Sequence, residues 1–177
     1  QYTYIMVKPD GVRQGLTSEI VKRIHAQGFE IKLFDVRKLS GELLDEHYAH
    51  VKDRDFYPAM KEFMLSDYVV PMIVYGENAI KGMRELMGPT KCAEAPDGTI
   101  RGDFGNKENN SQNVIHGSDS QENAFRQAAF DFLQFIPEYH IEEVSCTLYN
   151  GANGKVLLFH ISPCSNEIVK LKNGEAY

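Results

Sequence analysis

The chain has 177 residues, of which 42% are hydrophobic and 25% are charged, so it is long enough to bury the core of one globular domain. Its formal net charge of −6 argues against non-specific binding to nucleic acid or to an anionic membrane surface. No apolar run approaches the roughly 20 residues that cross a bilayer, and the apolar start of the chain is interpreted as a strand rather than as a signal peptide.

The first two predicted elements are a strand and a helix. Tyr2–Val7 is apolar and rich in β-forming residues, and the Pro-Asp-Gly sequence that follows is expected to end the strand. Residues 17–27 place their apolar side chains at helical spacing. Thr17 or Ser18 is expected to cap the start of this helix, and Gly28 is expected to cap its end.

The next segments alternate between strand-like and helical patterns. Residues 29–39 alternate apolar and polar side chains, which predicts a half-buried strand. The buried face of this strand is predicted to contain Phe29, Ile31 and Leu33. Helices are predicted over residues 40–50, 55–65 and 78–87, and a buried strand over residues 69–75. Ser40 is the predicted N-cap of the first of these three helices.

The second half of the chain opens with a polar stretch over residues 88–113, a length that is uncommon for a loop without a function. Val114 and Ile115 are predicted to form a short strand, followed by a helix that is capped within residues 118–120 and runs to about Phe135. The order of elements contains two βαβ-like halves. It predicts an α+β protein with a ferredoxin-like (split βαβ) antiparallel four-stranded sheet and helices packed on it.

Three cysteines are present, at Cys92, Cys146 and Cys164. Their odd number, without the spacing of a metal site, favours free thiols in a reducing compartment. A Cys146–Cys164 disulfide is the alternative that the pattern leaves open.

His116 differs from the other five histidines in its setting. It is predicted to end the short apolar strand, and Gly-Ser-Asp-Ser follows it at the start of a helix. Free backbone N–H groups at a helix start favour anions, and Gly117 lets a ligand approach the backbone closely. His116 is therefore a candidate functional residue, although a lone histidine is more commonly a solvated or structural group.

Three basic residues are candidates for binding an anion: Lys8, Arg84 and Arg101. A guanidinium group binds phosphate with two hydrogen bonds, and a lysine adds a point charge. The chain contains no GxxxxGK[ST] loop, so phosphate binding would depend on side chains, and no histidine pair has a zinc-site spacing.

Four blocks of the sequence resemble the nucleoside diphosphate kinase family. They are residues 4–12 (YIMVKPDGV), 52–54 (KDR), 98–104 (GTIRGDF) and 113–120 (NVIHGSDS). The resemblance runs from about residue 2 to residue 132, and the blocks follow the order and spacing of the family.

The resemblance implies a phosphotransferase, a nucleoside diphosphate kinase that works by a ping-pong route. The γ-phosphoryl group of a nucleoside triphosphate, mainly ATP, would pass to His116 and then to an acceptor nucleoside diphosphate. Lys8, Tyr48 and Ser118 match residues that assist the catalytic histidine. The implied nucleotide-binding residues, with contacts to phosphate, base and ribose, are Lys8, Phe56, Met60, Arg84, Thr90, Arg101 and Asn113.

The same resemblance implies Mg²⁺ as the cofactor, held by nucleotide phosphates and water rather than by a metal site in the protein. The implied partners are nucleoside di- and triphosphates and further copies of the chain, as a hexamer or tetramer, without a membrane or dedicated nucleic-acid binding. The implied location is the cytoplasm. We expect a catalytic domain at residues 1–135 and a C-terminal extension at residues 136–177, packed on the same domain or on a neighbouring subunit.

Several positions depart from the family pattern. Gln127 stands where a glutamate usually supports the histidine, so we expect slower turnover than is usual; a Gln127→Glu variant that is no faster would count against this. His50 stands at a commonly acidic position, and Cys92 where a proline often supports subunit contacts. Gln127, His50 and the C-terminal tail, which is longer than usual for the family, favour the alternative, a catalytically weak nucleotide-binding regulatory module. The otherwise complete set of matching residues favours an active enzyme.

Overall fold

The computed structural model describes residues 1–48, 51–133, 144–149, 156–161, 168–172 and 175–176. The chain divides into two compact units, Gln1–Leu133 and Gln134–Tyr177. His50, Phe135 and Cys164, about which the sequence raised expectations, lie outside the described residues.

The first unit contains a four-stranded sheet and seven helices among its described residues. The strands are β1 (Tyr2–Val7), β2 (Glu30–Phe34), β3 (Val70–Tyr75) and β4 (Ile115–Gly117). The helices are α1 (Pro9–Arg13), α2 (Thr17–Ala26), α3 (Gly41–His47), α4 (Tyr57–Leu65), α5 (Ala79–Met87), α6 (Ile100–Phe104) and α7 (Gln121–Leu133). All strand pairs are antiparallel, in the order β2-β3-β1-β4, which confirms the predicted ferredoxin-like α+β fold.

The central strand β1 divides its side chains between two cores, because successive residues of a strand point to opposite faces. Ile5 and Val7 pack into a core that α2 and α5 cover. Tyr4 and Met6 pack into a second core that includes residues of α3, α4 and α7. All four side chains are buried, so both faces of the sheet are covered at its centre.

The second strand differs from its prediction. Its register against β3 shifts between Ile31 and Leu33, which is the geometry of a β-bulge. Because a shift of one residue reverses the faces of a strand, Leu33 is 50% exposed, and the prediction that it faces the core is wrong. Beyond Phe34 the predicted strand is reduced to an isolated bridge between Arg37 and Val69.

Two helix starts show where the sequence patterns fail. The residue before α2 is Leu16, and no side chain caps it, so the predicted caps from Thr17 or Ser18 are wrong. The polar stretch contains α6, whose cap is Thr99: the Thr99 hydroxyl oxygen accepts the Gly102 N–H at 3.1 Å. In contrast, the predicted cap from Ser40 is confirmed, since its Oγ accepts the Leu43 N–H at 3.1 Å.

The second unit is an antiparallel meander in its described residues. Its strands are β5 (Val144–Tyr149), β6 (Val156–Ile161), β7 (Ile168–Lys172) and β8 (Glu175–Ala176), paired in chain order. Within the described parts of both units, no helix has the length and apolar character that a membrane crossing requires.

We expect Gly11→Ala to destabilise the first unit. A Cβ at residue 11 would lie 2.7 Å from the carbonyl oxygen of Val114 and 2.8 Å from Cγ1 of Val7. That carbonyl also accepts the backbone N–H of Lys8 at 2.9 Å, so it cannot retreat without weakening this hydrogen bond. The free energy of unfolding, measured by urea denaturation, should fall by about 1–3 kcal/mol.

Gly41→Ala is the matched control for this substitution. Its Cβ would meet only the flexible end of the Lys61 side chain, at 3.3 Å and beyond. Its free energy of unfolding should therefore change by less than about 1 kcal/mol. Equal stabilities of the two variants would contradict the close approach of α1 to the segment before β4.

Candidate active site

His116 lies in the middle of β4. The residue pairs with Met6 of β1, and the Ser118 N–H donates to the carbonyl of Tyr4 at 3.0 Å. Because pairing continues past the histidine, the prediction that His116 ends the strand is wrong. The pairing fixes the position of its backbone on both sides.

Side-chain hydrogen bonds stabilise the turn between β4 and α7. Ser120 Oγ accepts the Asn123 N–H at 3.2 Å, which confirms the predicted cap within residues 118–120. Asn123 Nδ2 in turn donates to the carboxylate of Asp119 at 2.7 Å. In the first turn of α7, the backbone N–H of Asn123 is therefore hydrogen-bonded within the protein.

The imidazole of His116 has one direct hydrogen-bond partner, Gln127 of α7, among the described residues. Its Nε2 lies 3.1 Å from Gln127 Oε1, and the Ser118 hydroxyl donates to the same oxygen at 2.5 Å. An amide oxygen only accepts, so the ring proton lies on Nε2 and Nδ1 keeps its lone pair. The rings of Tyr4 and Tyr48 face the imidazole with centroid distances of 6.1 Å and 6.2 Å.

The surroundings keep this imidazole uncharged. Burial lowers the pKa of His116 to about 4, and the positive charges of Lys8 and Arg101 act in the same direction. The hydrogen bond to Gln127 and the carboxylate of Asp119 oppose this lowering without cancelling it. At neutral pH the ring is therefore neutral, with a free lone pair.

Lys8 is only 7% exposed. Its ammonium group donates to Asn113 Oδ1 at 2.9 Å and to the carbonyl of Ser111, and it lies 5.2 Å from the centre of the Phe63 ring. Burial lowers its pKa to about 8, against the opposing effect of the Asp10 carboxylate. Uncharged oxygens thus provide its direct hydrogen bonds.

Arg101 is the second buried cation, in the first turn of α6. Its two terminal nitrogens donate to backbone carbonyls, Nη1 to Gly88 at 2.9 Å and Nη2 to Ile115 at 2.8 Å. Its Nε is buried without a hydrogen-bond partner among the described residues. Burial lowers the pKa of Arg101 to about 10, so the guanidinium stays charged at neutral pH, and neutral carbonyls leave that charge uncompensated.

A tight turn just before β4 directs the oxygens that bind these cations. Val114 has φ 57°, which is uncommon for a β-branched residue, and the Ile115 N–H donates to the Asn113 carbonyl at 2.7 Å. The Val114 N–H donates to Asp10 Oδ2 at 3.0 Å, which fixes the turn against α1. The turn thereby directs the Asn113 side chain and the Ile115 carbonyl towards the two cations.

Two further predicted residues have exposed side chains. Arg84, on α5, contributes to lowering the pKa of Asp119, after the larger effect of the hydrogen bond from Asn123. The Thr90 side chain is exposed, while its carbonyl accepts Asn113 Nδ2 at 3.3 Å. Arg84 and Thr90 therefore present polar groups to solvent rather than to the core.

The predicted base-contacting residues belong to the start of α4. Phe56 precedes the first residue of the helix and is 54% exposed. Met60 is half-buried and packs against the second core, as does Tyr48. Around His116 the structure thus brings together five of the predicted residues: Lys8, Tyr48, Arg101, Asn113 and Ser118.

The sequence patterns missed three groups of the site: the Asp10 carboxylate, the Ser111 carbonyl and the Phe63 ring. Asp10 was interpreted only as part of the turn that ends β1; an acidic residue two positions after a lysine was the available signal. Ser111 offered no signal, because a backbone carbonyl acts whatever the residue type. Phe63 has an ordinary apolar position on α4.

The arrangement suits the capture of a group that is both negatively charged and electrophilic. Lys8 and Arg101 supply positive charge at low exposure, and the His116 Nδ1 lone pair can attack such a group. Across the part of the chain that is described, no three histidine, cysteine or acidic side chains group so that they could hold a metal ion.

Comparison with known proteins points to one family. A model of the family described as nucleoside diphosphate kinase matches residues 1–135. A nucleoside diphosphate kinase of Streptococcus pneumoniae is 43% identical over 136 residues, which cover 75% of this chain and 99% of that protein. One of Streptococcus agalactiae is 40% identical over 135 residues, covering 75% and 98% of the two proteins.

Solved structures give the same result. A halophilic nucleoside diphosphate kinase from Halobacterium salinarum, in complex with CDP, aligns with a TM-score of 0.71 and 38% identity over 75% of this chain and 87% of that one. The Aquifex aeolicus nucleoside diphosphate kinase aligns with a TM-score of 0.71 and 37% identity, covering 75% and 94%.

We expect Asn113→Ala to lower the stability of the first unit at pH 7. The substitution removes an oxygen that accepts a hydrogen bond from the buried Lys8 ammonium, and it removes the donor to the Thr90 carbonyl. The free energy of unfolding should fall by about 1–3 kcal/mol, because a buried charged donor loses its partner. Chemical denaturation measures the change.

The matched control is Asn110→Ala, at an exposed position of the same polar stretch. Its free energy of unfolding should stay within about 0.5 kcal/mol of the parent value. A loss in Asn113→Ala no larger than in the control would show that Asn113 does not support the buried lysine.

Proposed function

The chain belongs to the nucleoside diphosphate kinase family, and we propose on that premise that His116 carries the phosphoryl group that this enzyme transfers. The observation that carries the assignment is a neutral imidazole with its proton on Nε2, beside two buried cations. The reaction moves the γ-phosphoryl group of a nucleoside triphosphate, mainly ATP, to a nucleoside diphosphate in two half-reactions at one site.

In the first half-reaction the Nδ1 lone pair of His116 attacks the γ-phosphorus. The N–P bond forms while the bond from that phosphorus to the bridging oxygen breaks, and the leaving diphosphate takes the electron pair. In the second half-reaction a terminal oxygen of the acceptor diphosphate attacks the same phosphorus, and the N–P electron pair returns to Nδ1. Protein groups contribute position and charge neutralisation rather than further covalent steps.

We assign the phosphate contacts to Lys8, Arg84, Arg101 and Thr90. Lys8 and Arg101 are supported by their buried positive charges next to the imidazole, which a polyanion can neutralise. Arg84 and Thr90 offer exposed polar groups at the same end of α5 and just beyond it. As assistants of the histidine we propose Tyr48, whose ring faces the imidazole, and Ser118, which binds the amide that holds Nε2.

For the nucleoside we propose Phe56 and Met60 at the base and Asn113 at the ribose. An exposed aromatic ring suits stacking on a base, and stacking tolerates every base because each has a π-face. The Asn113 amide already binds Lys8 and the Thr90 carbonyl, so its contribution to ribose binding would come through the groups that it positions.

Mg²⁺ is proposed as part of the nucleotide substrate. The donors around His116 are cations, amides and hydroxyls, which fit an ion that nucleotide phosphates and water already hold. Bound in this way, the ion would neutralise phosphate charge during transfer.

We further propose a homo-oligomer, a hexamer or a tetramer, in the cytoplasm. Exposed apolar side chains around the edge strand β2 support self-association, because such an edge is otherwise prone to uncontrolled pairing: Leu33, Phe34, Val36 and Tyr68. The buried free thiol of Cys92 suits a reducing compartment. We also propose a catalytic domain at residues 1–135 and a C-terminal extension at residues 136–177.

Incubation with ATP and Mg²⁺ should add one acid-labile phosphoryl group to the protein, as measured by intact-mass spectrometry. The His116→Ala variant should gain none, because the accepting nitrogen is gone. His25→Ala, at an exposed position on α2, is the control and should be labelled like the parent. Absence of the added mass in the parent, or its persistence in His116→Ala, would rule out the proposed carrier.

Nucleotide binding is expected to take up protons near pH 8. Lys8 has a pKa of about 8 in the free protein, so about half of the molecules carry it uncharged at this pH. Phosphate charge nearby favours the ammonium form and raises this pKa, so binding should draw about half a proton per ADP. Above pH 9 the affinity should fall, because charging the lysine then costs free energy.

Calorimetric titration with ADP, in buffers of different ionisation enthalpy, measures this uptake. Lys8→Met should abolish it, whereas Lys22→Met, at an exposed position of α2, should leave it unchanged. Proton uptake that survives in Lys8→Met would assign it to another group.

A further inference from the structure

Gln127 links two groups of the site through a single atom. Its side chain is 6% exposed, and its Oε1 accepts both the Nε2 proton of His116 at 3.1 Å and the Ser118 hydroxyl at 2.5 Å. Two donors on one amide oxygen fix both the orientation of the ring and its tautomer. Gln127 acts on the reaction through His116 and is a positioning residue.

The oxygen that performs this task carries no net charge, which matters because of what surrounds the ring. Lys8, after β1, and Arg101, on α6, both disfavour a positive imidazole, and the Asp119 carboxylate, after β4, is the opposing charge. The Tyr4 and Tyr48 side chains face the ring from β1 and from the end of α3. Among the described residues, no carboxylate hydrogen-bonds to the imidazole.

We propose that the neutral amide of Gln127 lets His116 stay uncharged, and therefore able to accept a phosphoryl group, further into the acidic range than a carboxylate at this position would, because the amide orients the ring while it stabilises the imidazolium ion less than a carboxylate does. This inference rests on the proposed transfer through His116. Burial and the two cations disfavour the imidazolium ion, and the neutral amide adds no negative charge that would offset them.

The physical reason is the difference between an amide and a carboxylate at the same position. Both accept the Nε2 proton, but a negative charge within about 4–6 Å favours the protonated ring and typically shifts a pKa by about 1–3 units. An imidazolium ion has no lone pair on Nδ1 and cannot attack phosphorus. A carboxylate at residue 127 would therefore stabilise the positive charge that develops on the ring during transfer. It would also protonate a larger fraction of the rings at acidic pH and so lower the rate there.

Gln127→Glu tests this directly. The rate constant for formation of the phosphoenzyme from ATP and Mg²⁺ is measured by rapid quench and intact-mass spectrometry between pH 5 and pH 8. The parent rate should show no fall from loss of the neutral ring in this range, since its His116 pKa is about 4. In Gln127→Glu the acidic fall should move upwards by at least about one pH unit, as a carboxylate contact predicts.

Two further variants separate charge from orientation. Gln127→Met keeps the size of the side chain but has no oxygen for Nε2, so its rate should be lower at every pH. Its acidic fall should lie no higher than that of the parent, because the lost hydrogen bond favours the protonated ring. Gln121→Glu adds the same charge at an exposed position of α7 and should leave both the rate and its pH dependence unchanged. These two profiles show whether the acidic shift belongs to a carboxylate in contact with the ring.

Titration of the His116 ring by NMR, without nucleotide, decides the inference independently of the transfer. A raised pKa in Gln127→Glu relative to the parent is expected, together with the shifted rate profile. An unchanged His116 pKa, or an unchanged acidic fall in a variant that still forms the phosphoenzyme, would overturn the role of Gln127. Failure of the parent itself to form a phosphoenzyme would instead overturn the proposed function.

Discussion

Burial of two positive charges beside an uncharged imidazole is the constraint on which the rest of the site depends. A cation removed from water is costly unless it is paired, and Lys8 and Arg101 obtain their hydrogen bonds chiefly from uncharged oxygens. Oxygens of this kind satisfy the donors without adding negative charge, and the Asp10 carboxylate only partly offsets the effect of burial on Lys8. Burial, with a smaller effect of the two cations, lowers the pKa of His116 to about 4, so one arrangement both attracts a polyanion and keeps the attacking nitrogen free.

The fold supplies these oxygens through one strained turn and one pair of strands. Val114 adopts a positive φ although it is β-branched. Its carbonyl accepts the Lys8 N–H and its own N–H donates to the Asp10 carboxylate, which fixes the residue on both sides. Directly after the turn, the register of β4 against β1 places His116 opposite Met6 and close to Tyr4. A loss of packing at this turn would therefore affect the cations and the nucleophile together.

Elements with strong local patterns were predictable from the sequence, and elements set by tertiary contacts were not. The strand Tyr2–Val7 and the helix α5 follow apolar periodicity closely, and the structure places them within one or two residues of the prediction. The inward orientation predicted for Leu33 failed because a bulge changes the register of β2, which alternation along one strand cannot reveal. The short helix α6 was missed since five residues are too few for a helical period.

The candidate site shows the same division. Periodicity and spacing marked His116 only as one histidine in a favourable setting, and its association with Lys8 and Arg101 came from resemblance to a family, because these residues are far apart in the chain.

Once Gln127 holds the ring proton on Nε2, Nδ1 is the only nitrogen left to carry phosphorus. The one-bond coupling between ³¹P and ring ¹⁵N, recorded on the phosphoenzyme with labelled histidine, locates the phosphoryl group directly. We expect coupling to Nδ1 of His116; coupling to its Nε2, or to another histidine, would contradict this account of the site.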